Sequence, residues 1–128
     1  MAAVTFGTTA HLEFNLGDTK VDTLDKAIKA IDRIAYMGGA TATTDALTLV
    51  KKEVVKRADP ESDKVMIFIT DGQSNIGEPP KKIADVLHKN DSFEVYVIGK
   101  EKKRVKKIYF KRKQGTNGIR KRAQKFRA

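Results

Sequence analysis

Apolar and polar residues alternate at the start of the chain. Val4 and Phe6 occupy every second position, a Gly-Thr-Thr turn follows at 7–9, and the alternation resumes over 12–16. Because successive side chains of a strand point to opposite faces, this pattern predicts a hairpin with one buried face. Gly17 and the polar residues after it end the hairpin.

Two later segments space their apolar residues three and four positions apart, as amphipathic helices do. The first predicts a helix over residues 22–35 that begins at Asp22 or Thr23, both suitable N-cap residues. The second predicts a helix over residues 44–57. The loop between them, at 37–44, is rich in glycine and hydroxyl groups.

The rest of the pattern alternates strands with a helix. Apolar runs at 65–69 and 93–99 predict strands that are buried on both faces, as in parallel sheets, and Asp71 follows the first run closely. Between them, the apolar spacing over 83–87 predicts a third helix, which starts after Pro80. The fold class is therefore α/β, with at least two parallel strands joined by a crossover helix.

No cysteine occurs among the 128 residues, which excludes a disulfide framework, a cysteine-ligated zinc site, an iron–sulfur cluster and a thiol nucleophile. The length fits one domain. No apolar stretch approaches the ~18 residues of a membrane span, and the first residues lack the basic start and apolar run of a secretory signal. The sequence therefore predicts a folded domain without a membrane span.

The positive charge is confined to the end of the chain. Residues 1–99 carry 12 basic and 15 acidic side chains, whereas residues 100–128 carry 14 basic and one acidic side chain. These net charges of −3 and +13 give the overall charge of +10. The shift predicts an α/β domain over 1–99 and a basic tail over 100–128 that is disordered or helical.

The basic tail also suggests a function of its own. Its charge, with Tyr109, Phe110 and Phe126 interleaved, suits nonspecific binding of nucleic acid or another polyanion. The basic cluster at 120–122 is similar to nuclear-import and heparin-binding sequences. A solvated tail without a partner is the alternative.

Three motifs, in order along the chain, resemble the von Willebrand factor type A domain. They are the hairpin at 4–14, the Gly-Gly-Ala-Thr segment at 38–47 and the Thr-Asp-Gly segment at 67–72. The segment 96–99 fits the strand that follows, so the resemblance covers residues 3–99. The residues around Thr-Asp-Gly are most similar to the extracellular branch that includes complement factor B and sushi-containing adhesion proteins.

The resemblance implies a Rossmann-like sheet with flanking helices and a protein-binding or adhesive function outside the cell. In the family, a metal-ion-dependent adhesion site holds Mg²⁺ or Mn²⁺ through an Asp-x-Ser-x-Ser loop, a threonine and the aspartate of Thr-Asp-Gly. The last two match Thr41 and Asp71. Hydroxyl and carboxylate oxygens are the hard donors that such cations prefer, and an acidic side chain of the protein ligand would complete the coordination.

The chain also departs from the family pattern. It has no Asp-x-Ser-x-Ser loop and begins at the family's second strand, so the first strand, central in the family's sheet, is missing and the metal site is incomplete. The strands near 4–6 and 65–69 must then pair directly or leave open edges, which predicts low stability. The unusual start and end favour a partial gene model, a splice variant or a shifted reading frame, a hypothesis that sequencing of the full transcript tests.

Structural roles are the alternative for the residues that could carry chemistry. Asp71 is alternatively a turn residue at a strand end, Thr41 a hydroxyl that satisfies loop amides, and Ser74 either a turn residue or part of a metal rim. His11 and His88 have no nucleophile or carboxylate partner that a motif identifies. No Gly-x-Ser-x-Gly, His-Glu-x-x-His or Walker loop occurs, so the sequence predicts a non-enzyme.

Overall fold

The computed structural model describes residues 1–71, 74–101 and 104–109. The chain begins with the predicted hairpin, in which strand β1 (Ala3–Phe6) pairs antiparallel with strand β2 (Ala10–Phe14). The Gly7 N–H donates to the Thr9 carbonyl oxygen at 2.9 Å and closes the turn.

Among the described residues, three α-helices and three further strands follow, in the order of two helices, a strand, a helix and two strands. The helices are α1 (Leu24–Asp32), α2 (Thr43–Leu49) and α3 (Lys81–Lys89). The strands are β3 (Lys64–Thr70), β4 (Phe93–Glu101) and β5 (Arg104–Tyr109). Each predicted helix and strand is therefore present, although α1 is shorter than predicted.

The second sheet has the strand order β3-β4-β5. Strands β3 and β4 are parallel, in a register that runs from the Lys64–Phe93 pair to the Thr70–Gly99 pair. Helix α3 makes the crossover between them. The predicted pair of parallel strands with a helical connection is confirmed.

Strand β5 corrects one part of the prediction for the basic tail. Residues 104–109 were expected to be disordered or helical, but they pair antiparallel with β4, from Glu101–Arg104 to Tyr96–Tyr109. The segment contains valine, isoleucine and tyrosine, which favour strands, and β4 offers it a neighbouring edge close in sequence. The rest of the tail prediction, over 110–128, lies outside the described residues.

The main core lies on one face of this sheet. Leu87 of α3 is fully buried, and it clusters with Leu47 of α2 and Phe93 of β4. Met66 and Phe68 of β3 pack against the same cluster from the sheet side. Helices α2 and α3 therefore cover this inner face.

The opposite, outer face of β3 is exposed. Val65, Ile67 and Ile69 alternate with the inward-facing residues, and their side chains are 55%, 62% and 66% exposed. The prediction that this strand is buried on both faces is therefore wrong. Among the described residues no helix covers the outer face, so the apolar run is buried on one side only.

Helix α1 begins where the sequence predicted, but several of its apolar side chains remain exposed. Thr23 is its N-cap and accepts a hydrogen bond from the Lys26 N–H at 3.3 Å. Ala27 is buried against the hairpin and contributes to a small second core, whereas Leu24 and Ile28 are 76% and 48% exposed. Among the described residues, the helix packs against the hairpin and the short 3₁₀ turn at Thr19–Val21, and these cover only part of its apolar face.

The two sheets leave open edges toward each other. Within the described part of the chain, β1 and β3 do not pair, although the Phe6 and Phe68 rings stack with their centroids 5.0 Å apart. A cleft of about 730 Å³ lies between them, with Val4 on one wall and Val65 and Ile67 on the other. Of the two predicted outcomes, the strands take the one with open edges.

The second predicted helix changes its hydrogen-bonding pattern partway. After α2, the turn Val50–Val54 is π-helical and Val55–Arg57 is a 3₁₀ turn. The buried Asn15 donates its Nδ2 hydrogen to the Glu53 carbonyl oxygen at 3.1 Å, and so fixes the π-helical turn against the hairpin. The Asn15 side chain thus gives the Glu53 carbonyl oxygen a hydrogen-bond donor at the point where the regular α-helical pattern is interrupted.

The hairpin turn and the loop before α2 approach each other closely. The Ala42 N–H donates to the Gly7 carbonyl oxygen at 2.9 Å, and the Ala40 N–H donates to Thr8 Oγ1 at 3.3 Å. A Cβ atom on Gly7 would lie 2.7 Å from the Gly38 carbonyl oxygen. Gly39 has a φ of +107°, and a Cβ there would lie 2.5 Å from Thr8 Oγ1. Glycine is therefore needed on both sides of this contact.

Replacing Gly7 by alanine should lower the free energy of unfolding by about 1–3 kcal/mol, because the added methyl group must push a backbone carbonyl aside. Urea unfolding followed by circular dichroism measures the loss. Gly38→Ala is the matched control, since the nearest atom to its Cβ would be a Tyr36 ring carbon at 3.7 Å. Equal stability of the two variants would contradict the close approach of turn and loop.

The two faces of β3 should respond differently to substitution. We expect an unfolding midpoint below roughly 60 °C for the unaltered chain. Ile67→Lys should leave the free energy of unfolding within about 0.5 kcal/mol and reduce aggregation, whereas Phe68→Ala should cost about 2 kcal/mol through lost packing. Thermal unfolding with light scattering checks both, and a large loss for Ile67→Lys would mean that the outer face is covered.

Candidate metal and ligand-binding site

Three segments meet at the carboxyl end of β3, the end at which ligands bind in open α/β sheets. They are the hairpin turn at 7–9, the loop at 37–42 and the segment at 74–78 that follows β3. Hydrogen bonds join the loop to both of the others. Of the sequence-predicted residues, Thr41 lies in the loop at 37–42, whereas Asp71 directly follows β3 and precedes the segment at 74–78.

Both the N–H and the carbonyl oxygen of the Thr41 backbone are hydrogen-bonded. Its N–H donates to Asn75 Oδ1 at 2.8 Å, and its carbonyl oxygen accepts from the Asn75 N–H and from Ser74 Oγ, each at 3.3 Å. The Thr41 side chain, in contrast, has no hydrogen-bond partner among the described residues. Its hydroxyl therefore does not satisfy the amides of its own loop, which was the structural alternative for this residue.

Asp71 directly follows the last residue of β3 and is exposed. Within the ranges that the structure describes, its carboxylate also lacks a hydrogen bond or ion pair. A carboxylate in a strand-end turn commonly accepts backbone N–H bonds, and no such bond occurs here between described residues. The carboxylate is thus accessible at the same end of the sheet as the Thr41 loop.

The segment after β3 contains linking residues that sequence reasoning only partly identified. Ser74, which the sequence left between a turn role and a metal-rim role, donates to the Thr41 carbonyl oxygen and contacts the Ile76 carbonyl oxygen at 3.5 Å. Asn75 was not singled out at all, although asparagine beside a glycine-rich turn is a common loop residue. Thr44 Oγ1 also reaches across and donates to the Glu78 carbonyl oxygen.

The donor set fits a hard divalent cation but forms an incomplete shell. Among the described residues, no group of three or more His, Cys, Asp or Glu side chains could hold a metal ion. Thr41 and Asp71 offer one neutral hydroxyl oxygen and one carboxylate. Mg²⁺ is commonly bound through one or two carboxylates, with water and substrate oxygens in the remaining positions, so these two residues fit as part of such a shell.

His11, His88, Lys51 and Asp91 have structural partners. His11 Nε2 lies 3.0 Å from Thr9 Oγ1, and His88 Nδ1 lies 3.0 Å from the Phe93 carbonyl oxygen. Lys51 and Asp91 form an ion pair at 2.6 Å, in which the Asp91 side chain is only 10% exposed. This pair ties the π-helical turn to the connection between α3 and β4. Of these contacts, the one between His11 and Thr9 involves the hairpin turn at 7–9, and neither it nor the others includes Thr41 or Asp71.

No helix among the described residues is both long and apolar enough to cross a membrane.

Comparison with known proteins agrees with this architecture. A family model described as the von Willebrand factor type A domain matches residues 1–125. Cuticlin-6 of Caenorhabditis elegans is 40% identical over 103 residues, which cover 77% of this chain and 16% of cuticlin-6. The collagen alpha-1(XX) chain of Mus musculus is 35% identical over 80 residues, which cover 60% of this chain and 6% of the collagen chain.

The fold is also similar to that of solved structures. Proximal thread matrix protein 1 from the mussel byssus superposes with a TM-score of 0.63 and 34% sequence identity, over 77% of this chain and 24% of that protein. A second structure of the same protein is described as having a zinc-occupied MIDAS motif. The chain thus spans about a quarter or less of the length of these relatives. The match over residues 1–125 shows that the chain belongs to the von Willebrand factor type A family.

Proposed function

We propose that the chain is a protein-binding module of the adhesive type, whose binding depends on a divalent cation held in part by Thr41 and Asp71. The observation that carries this proposal is the contrast at Thr41, where the backbone is fully hydrogen-bonded while the hydroxyl has no partner among the described residues. The accessible carboxylate of Asp71 lies at the same end of the sheet.

The cation that suits these donors is Mg²⁺ or Mn²⁺, because hydroxyl and carboxylate oxygens are hard ligands. When bound, it supplies a coordination position for an acidic side chain of a protein ligand. Asp71 contributes one negative charge and Thr41 none, so the pair leaves positive charge for that acidic group. The zinc-occupied motif of the byssus protein supports a metal role at this place in the fold.

Thr41 and Asp71 by themselves occupy only part of the coordination shell of the cation. With two protein donors, water and the ligand's carboxylate must fill the rest of the shell. The cation and the protein ligand should therefore bind cooperatively, because each completes the site of the other.

We place this function outside the cell. The support is the family together with the printed names of two relatives, a collagen chain and a matrix protein of the mussel byssus. We propose a binding domain rather than an enzyme, since the relatives named above include a collagen chain and a byssus matrix protein.

A second function, nonspecific binding of nucleic acid or another polyanion, is favoured by the charge of the basic tail. Residues 100–128 carry 14 of the 26 basic side chains and one of the 16 acidic ones. Phosphate binding by such a segment depends strongly on salt and needs no metal. The two functions therefore respond to different treatments.

Asp71→Ala should abolish saturable binding of Mn²⁺ in isothermal titration, because the carboxylate is the one charged donor of the pair. Asp63→Ala is the matched control, since Asp63 is an exposed aspartate next to the opposite end of β3. Both variants should keep the circular dichroism spectrum of the unaltered chain. Equal Mn²⁺ binding by both variants, or none by the unaltered chain, would overturn the metal role.

Binding of a fluorescent single-stranded oligonucleotide should weaken steadily with salt and be unaffected by EDTA, if the basic tail acts as proposed. Replacing Arg120, Lys121 and Arg122 by glutamine should reduce the salt slope by roughly 2, since each phosphate contact contributes about 0.7. The control replaces three lysines of α3, namely Lys81, Lys82 and Lys89. An equal effect of both triple variants, or a loss in EDTA, would contradict a function specific to the tail.

A further inference from the structure

Asn75 holds both hydrogen-bonding groups of the Thr41 backbone. Its side-chain Oδ1 accepts from the Thr41 N–H at 2.8 Å, and its own N–H donates to the Thr41 carbonyl oxygen at 3.3 Å. One residue thus binds another at two points, as neighbouring residues do in a sheet, although neither residue belongs to a strand. We call this pair of hydrogen bonds the Asn75 clamp.

The clamp acts on a loop that is already fixed at its other side. Ala40 and Ala42, which flank Thr41, both donate their N–H groups to the hairpin turn. The loop also contains Gly38 and Gly39, whose conformational freedom would otherwise let Thr41 move. Together with the hydrogen bond from Ser74 Oγ, the Asn75 clamp ties Thr41 to the segment at 74–78, and Asn75 follows Asp71 by four residues in the sequence.

We infer that Asn75 is a positioning residue, which sets the Thr41 hydroxyl relative to the Asp71 carboxylate without itself binding the cation. This inference rests on the proposed metal site. Its chemical basis is that a carboxamide oxygen accepts a hydrogen bond in a fixed direction and carries no charge. Cation affinity then depends on Asn75 through the geometry of Thr41.

The side chain and the backbone of Asn75 contribute separately to the clamp. Asn75→Ala removes the acceptor for the Thr41 N–H but keeps the backbone hydrogen bond to the Thr41 carbonyl oxygen. Asn75→Asp keeps an acceptor oxygen of the same reach and adds a negative charge. Comparison of the two variants therefore distinguishes the effect of losing this hydrogen bond from the effect of replacing the side chain.

Amide hydrogen exchange of the full chain without metal tests the clamp directly. The Thr41 N–H should exchange about three- to tenfold faster in Asn75→Ala and near the original rate in Asn75→Asp, as expected for the loss of one hydrogen bond. Asn90→Ala is the matched control, an exposed asparagine at the end of α3. Unchanged exchange at Thr41 in Asn75→Ala would overturn the inference, whatever the metal does.

Titration with Mn²⁺ tests the positioning role. Asn75→Ala should bind Mn²⁺ about three- to tenfold more weakly than the unaltered chain, and Asn75→Asp should bind at least as tightly as the unaltered chain. Faster exchange at Thr41 with full Mn²⁺ affinity would show that the clamp is structural only, and would overturn the positioning role. No Mn²⁺ binding by the unaltered chain would instead overturn the proposed metal site and the role that rests on it, while the exchange result would still decide the clamp.

Discussion

The packing of α2 and α3 onto the inner face of the sheet is the constraint on which the rest of the structure depends. Leu87 is fully buried there, between Leu47 and Phe93. Because this cluster joins two helices to two parallel strands, it fixes the crossover and hence the end of the sheet at which the loops gather. The outer face of β3 contributes little to the packing, because its valine and isoleucine side chains are exposed. Stability and site geometry thus come from one side of the sheet.

The candidate site is organised by backbone hydrogen bonds more than by side-chain packing. The turn at 7–9 and the segment at 74–78 hold the Thr41 loop from two sides, and close contacts at Gly7 and Gly39 leave no room for other residues. Such a loop loses little further entropy when a ligand binds, which is the advantage of a site formed before binding. The half-buried Thr41 is thus held by a loop whose backbone is already fixed, and the exposed Asp71 lies at the same end of the sheet.

The order of helices and strands, and the parallel pairing of β3 with β4, could be predicted from the sequence because both follow from local periodicity. The exposure of one face of β3 could not be predicted, because the run at 65–69 is apolar at every position. Only the tertiary structure shows that no helix of the described residues covers its outer face. Strand β5 was not predicted, because its lysines obscure the alternation of apolar and polar residues that identifies a strand. Thr41 and Asp71 came from motif resemblance, whereas Asn75 acts through a partner 34 residues away, a pairing that no local pattern reveals.

Folding and binding are coupled in this chain, because the three segments of the site are brought together only by the folded state. A ligand that binds the folded form alone stabilises it by about 2.7 kcal/mol at a free concentration 100 times its dissociation constant. Domains commonly have about 5–15 kcal/mol of stability in total, and a sheet covered on one face belongs at the lower end of that range. A cation held by Thr41 and Asp71 would therefore contribute a substantial share of the stability.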